Sequence, residues 1–275
     1  MDSPLTPPIR EHVYHTMTYG TTPLVATAIH AGHKMRANLI DKCVLSEQER
    51  LYEEDPYTDH WVPITDNQIV AHYSRFEVDL NRSREKTVYR KPEDAWGLKV
   101  WKEELPEDLV QESLARYDEF YSDAKDMFTE IQEKHGCFIV YDLHSYNYKR
   151  EGPDGPDADP EMNPEVIIGT GNMNREKWAP VVESIIRTIE SYNYKGRRLD
   201  VRENVKFIGG NFNHWIHDTF PDQACVLSIE FKKIFMNEWT GEPDQEQLEG
   251  IKNLLQETTK PVLKTFYEVV MSSGL

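Results

Sequence analysis

The stretch from Leu109 to Ser145 sets a long amphipathic helix directly before a buried strand, and this pairing limits the fold more than any other feature. Val110, Leu114, Tyr117, Tyr121, Ala124, Phe128 and Ile131 recur at helical spacing. Gly136 then opens "CFIVYDLHS" (137–145), whose nearly unbroken apolar run suits a strand covered on both faces. The alternation recurs along the chain. "TPLVATAI" (22–29), "NQIVAHYSRFEVDL" (67–80), "VIIGTG" from residue 166, "VKFIGGNF" (205–212) and "ACVLSIEFKKIF" (224–235) read as strands. Residues 176–189 and 246–271 read as helices, the second interrupted by Pro261. "LSEQERLYEEDPYTDHW" (45–61) begins as a helix with Ser46 and Glu49 in a capping box, and breaks before Pro56. This pattern predicts an α/β fold over 1–275, a single domain with a central mixed, mostly parallel sheet and helices on both faces. The Pro- and Thr-rich opening residues read as a surface lead-in and 83–106 as loop. The acidic, proline-rich 151–165 reads as a surface loop or lid.

Charge narrows the function classes. Lys+Arg number 31 and Asp+Glu 48, so the formal net charge is −17. Such a field repels nucleic acid and anionic membranes, and neither is expected as a partner. A small anionic substrate would need a local arginine cluster. Cys43, Cys137 and Cys225 form no disulfide framework or CxxC knuckle, and a reducing, cytoplasmic setting is the expectation. No apolar stretch approaches the length of a membrane span.

Four of the strand-like segments end in residues able to do chemistry: "TAIHAGH", "VDLNR", "VYDLHS" and "LSIEF". Sites in open α/β sheets form at such carboxyl ends. His30 and His33 flank Ala31-Gly32, small residues that would let a metal or ligand approach the backbone. His144 follows Asp142, an acid able to orient an imidazole from behind. Together these suggest a catalytic zinc site with three protein ligands, although a single histidine at a strand end is more often structural. Alternation groups Glu230 with Val226 and Ser228, opposite Leu227, Ile229 and Phe231. Glu230 is then either an exposed residue of a half-covered strand or a general base. Glu53, Glu54, Asp55 and Asp59 read mostly as solvated charges at a helix end. Asn81-Arg82 is either a carboxylate grip or, through Arg82 and Asp79, a structural ion pair.

The segments "VATAIHAGH", "EEDPYTDHW", "YSRFEVDLNR", "VYDLHS", "IGTGN", "GGNF" and "VLSIEFKKIFMNE" stand in an order that resembles the N-formylglutamate amidohydrolases, over about residues 20 to 240. "DLNR" is also similar to an element of the aspartoacylase and succinylglutamate desuccinylase group, relatives of the zinc carboxypeptidases. The resemblance implies a phosphorylase/hydrolase-like (zinc carboxypeptidase-like) fold and zinc-dependent hydrolysis of an N-acyl amino acid. Its first expected substrate is N-formyl-L-glutamate, within histidine degradation. It also implies His30, Asp55 and His144 as metal ligands, with Glu54 or His33 as alternatives to Asp55. Glu230 would be general base and acid, Asn81 and Arg82 would hold the substrate carboxylate, and Arg75 would stabilise the oxyanion. The chain departs from the family pattern in having Ile29 where proline is common, and in its long 151–165 segment.

Overall fold

A computed structural model describes residues 8–273; residues 1–7, part of the expected lead-in, lie outside them. Eight strands build one sheet: β1 (Ile9–Glu11), β2 (His15–Thr18), β3 (Leu24–Ala28), β4 (Asn67–Ala71), β5 (Phe138–Tyr146), β6 (Val166–Gly169), β7 (Val201–Glu203) and β8 (Ala224–Lys232). Their spatial order is β1-β2-β4-β3-β5-β8-β6-β7. The centre, β4-β3-β5-β8, is parallel, and β6-β7 is a parallel pair that runs antiparallel to β8. β1 and β2 add antiparallel strands at the other edge. The sheet is therefore mixed, as the alternating pattern predicts.

Six α-helices accompany it: α1 (Ala37–Ile40), α2 (Glu47–Glu53), α3 (Glu107–His135), α4 (Arg175–Ser191), α5 (Asn211–Thr219) and α6 (Gln245–Ser273). Ile139, Tyr141 and Leu143 of β5 join Leu227, Ile229 and Phe231 of β8 in a core shared with α4 and α6. Phe138, Val140 and Val226 face the opposite way, into a core shared with α3 and α5. Side-chain alternation on two buried strands thus creates both layers at once. The Ser46–Glu49 capping box of α2 is formed.

Four expectations are corrected. Residues 67–80 are not one strand, because β4 stops at Ala71. Beyond it Ser74 Oγ accepts from Phe76 N at 3.2 Å and Asp79 Oδ1 from Asn81 N at 2.9 Å. Such local side-chain bonds compete with a sheet ladder and fold the chain into a loop. Residues 205–212 are also not a strand: Gly209 takes φ +106°, and α5 starts just after Gly210. Residues 9–18 are strands rather than lead-in, because β2 pairs with β4. Finally, α6 runs through Pro261. Val262 and Phe266 are buried there, and the Phe266 ring stacks on Trp178 of α4 at 5.6 Å, so packing outweighs the missing backbone bond.

Candidate functional site

β3, β5 and β8 run parallel, so their carboxyl ends lie on one side of the sheet. His30 follows β3, while His144 and Glu230 sit near the ends of β5 and β8. Asp55 arrives from the turn after α2, held by its backbone N–H donating to the His30 carbonyl at 3.0 Å. A cavity of about 320 Å³ opens over these four residues. Arg75, Asn81 and Arg82 also line it, carried there by the loop after β4.

The imidazoles and Asp55 converge. Asp55 Oδ2 lies 2.8 Å from His144 Nδ1 and 3.4 Å from His30 Nδ1, with the two rings 5.0 Å apart. Behind each ring stands a second carboxylate: Asp79 Oδ1 is 2.7 Å from His30 Nε2, and Asp142 Oδ2 is 3.0 Å from His144 Nε2. Both acids are anchored in turn, Asp142 by the Thr27 hydroxyl at 2.7 Å and Asp79 by Arg75 at 2.9 Å and by the Tyr89 hydroxyl. A carboxylate can only accept, so each Nε2 carries a proton and each Nδ1 is the nitrogen turned towards Asp55. Neutral imidazoles would then aim two lone pairs at a carboxylate oxygen in a buried setting. The trio needs one positive charge, either a proton or a metal ion.

Without an ion, a proton meets that need. Burial would raise the Asp55 carboxyl, but its bonds to His144 and His30 outweigh burial and hold it well below the usual range. Burial opposes a charged His144, yet Asp142 and Asp55 prevail and hold it well above an ordinary imidazole. Two imidazole nitrogens, each braced from behind, and one carboxylate oxygen form a donor set that suits zinc. Glu230 stands beside this trio. Burial pushes its carboxyl up to about 8, opposed by His144 and reinforced by Asp55 and Asp142.

The alternatives to Asp55 sit elsewhere. His33 Nδ1 meets Glu54 Oε2 at 2.5 Å, and the Ser74 hydroxyl takes the other Glu54 oxygen. Glu54 and Asp55 are 1% and 3% exposed, which overturns their reading as solvated helix-end charges. The physical reason is Lys233, whose buried ammonium donates to the carbonyls of Tyr52 and Glu54 at 2.6 and 2.8 Å and draws this turn inward. Gly32 also has a different use from the one expected. A Cβ there would lie 2.3 Å from the His72 backbone, so the glycine lets two loops touch.

On the opposite wall, Arg82 is 43% exposed and its nearest acid, Asp79, is 3.8 Å away, so the guanidinium keeps donors for a ligand. Asn81 Oδ1 accepts from Phe212 N at 3.0 Å, which leaves its amide NH2 as the end that donates. Arg75 is bound to Asp79 and packs over Trp96 at 5.0 Å, while its buried Nε has no partner among the described residues. No residue of 151–165 lines the cavity, but the neighbouring Arg150 does, along with Trp96, Phe207 and Lys233. These four, and Asp79 as the partner of His30, were not read from the sequence as site residues. Lys233 had a signal: it falls in phase with the apolar positions 227, 229 and 231.

The family model described as N-formylglutamate amidohydrolase matches residues 22–236. The chain belongs to this family. The N-formylglutamate amidohydrolases are hydrolases, and membership places the chain among amidohydrolases. A solved N-formylglutamate amidohydrolase from Ralstonia eutropha JMP134 superposes with a TM-score of 0.69 at 17% identity, covering 95% of this chain and 100% of that one. The gene product Atu2144 from Agrobacterium tumefaciens gives 0.63 at 18% identity, covering 89% and 92%. At such identities the likeness establishes the shared fold. Among curated proteins, none matches the chain significantly by sequence. Among the described residues, no helix is long and apolar enough to cross a membrane.

Proposed function

We propose that the chain is a zinc-dependent deformylase of N-formyl-L-glutamate, releasing formate and L-glutamate. The observation that carries this reading is the meeting of His30 and His144 on Asp55, each ring backed by its own carboxylate. His30, Asp55 and His144 would hold the metal. Zinc bound there supplies Lewis-acid activation of the acyl carbonyl and of water.

The chain's own residues do the rest. Glu230, on the cavity wall beside the trio, takes a proton from water during attack and returns it to the departing amine. Arg82 offers a planar fork to the substrate carboxylate, and the Asn81 amide adds a donor. Arg75, fixed by Asp79, places positive charge where the carbonyl oxygen gains its negative charge. A cavity of about 320 Å³ suits a small acylated amino acid. Arg82, with no acid closer than 3.8 Å, gives the lining a free cationic group, which a small anionic substrate needs in a chain of net charge −17. This is a soluble-substrate chemistry consistent with a cytoplasmic role in histidine breakdown.

The test is formate release from N-formyl-L-glutamate by metal-stripped protein before and after adding stoichiometric zinc. Activity should be absent before and present after. Release that proceeds undiminished in the stripped protein, or that no divalent metal restores, would overturn the reading.

A further inference from the structure

A second group of ligand-type side chains lies at the sheet edge, where β1 and β2 meet α3. His12 and His15 close the hairpin between those strands, with His12 N donating to the His15 carbonyl at 2.9 Å. Their rings stack, 4.7 Å apart and 12° from parallel. Both aim at one oxygen of α3: Asp123 Oδ2 is 2.8 Å from His15 Nε2 and 3.2 Å from His12 Nε2. One ligand atom from each of the three residues lies within 4.8 Å of the other two. The remaining nitrogen of His12, Nδ1, faces Glu119 Oε1 at 3.3 Å, one helical turn before Asp123. Phe120 packs edge-on against His15 at 5.5 Å and sets its ring plane.

Here two imidazoles share one oxygen, and the carboxylate of Glu119 braces His12 from behind, an arrangement that fixes the tautomer with Nε2 as the coordinating atom. The outer half of the hairpin is the weakly held part, since β2 pairs with β4 and β1 does not. β1 has three residues, all exposed, and among the described residues pairs only with β2. We propose that His12, His15 and Asp123 form a second site for a divalent cation of the zinc class, structural in role, which fastens the β1–β2 hairpin to α3. Two imidazoles and a carboxylate match zinc by ligand type, with water completing the shell.

Metal-stripped protein titrated with Zn²⁺ by calorimetry should take up two equivalents. His12→Ala changes a partly exposed turn residue, so the fold is kept; it should take up one and still release formate. Glu119→Gln should weaken the second equivalent about 10-fold. Hydrogen exchange of amides 9–18 should slow when the second equivalent binds, and should not respond to zinc in His12→Ala. Equal uptake by wild type and His12→Ala, or hairpin exchange indifferent to zinc, would overturn the proposal. If only the central site failed, the wild type would bind one equivalent and His12→Ala none, so the two outcomes are distinct.

Discussion

His144 and Glu230 are register partners on the adjacent parallel strands β5 and β8, so both side chains leave the same face of the sheet at the same height. Two side chains placed this way cannot drift apart, because the backbone ladder sets their spacing. Glu230→Gln keeps size and burial but removes the proton acceptor. It should lower kcat about 10²- to 10⁴-fold with little change in KM or zinc content. Steady-state kinetics with metal analysis of the same sample decides this, and an intact kcat would remove Glu230 from the mechanism.

Arg82→Ala should act on binding. Losing a charge-assisted bond to a carboxylate costs about 1.5–3 kcal/mol, or roughly a 10- to 150-fold rise in KM, with a smaller effect on kcat. Arg82→Lys should recover only part of this, since an ammonium cannot reproduce the planar fork. A KM unchanged in Arg82→Ala would mean that the carboxylate is held elsewhere.

Asp142→Asn removes the anion behind His144 while the Thr27 hydroxyl stays in place. Zinc affinity measured by chelator competition should fall about 10- to 100-fold, and activity should return at high zinc. Unaltered affinity would leave Asp142 as a packing residue.

Gly210→Ala would put a Cβ 2.2 Å from the Asn81 Oδ1, a contact too short to survive. The amide must swing away from the first turn of α5. The expected result is a raised KM together with faster hydrogen exchange at the α5 amino end. Normal exchange in this variant would show that Asn81 does not hold the helix.

His217 gives a stability prediction away from the proposed metal site. Its Nδ1–H donates to Asn172 Oδ1 at 3.0 Å, and its Nε2 accepts from Val226 N at 3.3 Å, so the folded protein favours the neutral ring. Burial lowers its pKa from 6.5 to about 4, with His214 adding to the shift. Between those two values the unfolded chain binds the proton and the folded one does not. Stability therefore falls as pH drops from 6.5 towards 4, by about 3 kcal/mol at most from this group. Denaturant melts across that range should show a shallower decline for His217→Gln than for wild type, and parallel curves would contradict the assignment.

What could be read from the sequence was local. The helical period of 109–131 and the apolar run of 137–145 survive as α3 and β5, because each element buries faces its own spacing defines. The side on which Glu230 emerges followed from strand alternation, and the two cores confirm it. What could not be read depended on distant partners. The α5 amino end is bonded by Asn81, 131 residues earlier, so its start carries no local cap. Burial of Glu54 and Asp55 depends on Lys233, bonded to the Glu54 carbonyl across 179 residues. The loop carrying Asn81 and Arg82 looked like strand because its apolar residues, Val78 and Leu80, are buried without belonging to a ladder.

One amide, that of Asn81, ties the floor of the cavity to α5: its oxygen grips the helix and its nitrogen is left for a guest. Occupancy at one end of that group is expected to tug on the other. Trp215 rides on the same helix, 4.7 Å from the Tyr121 ring, and so sits where such a tug is felt. Ligand arrival is therefore expected to change indole emission, from Trp215 and from Trp96 in the cavity wall.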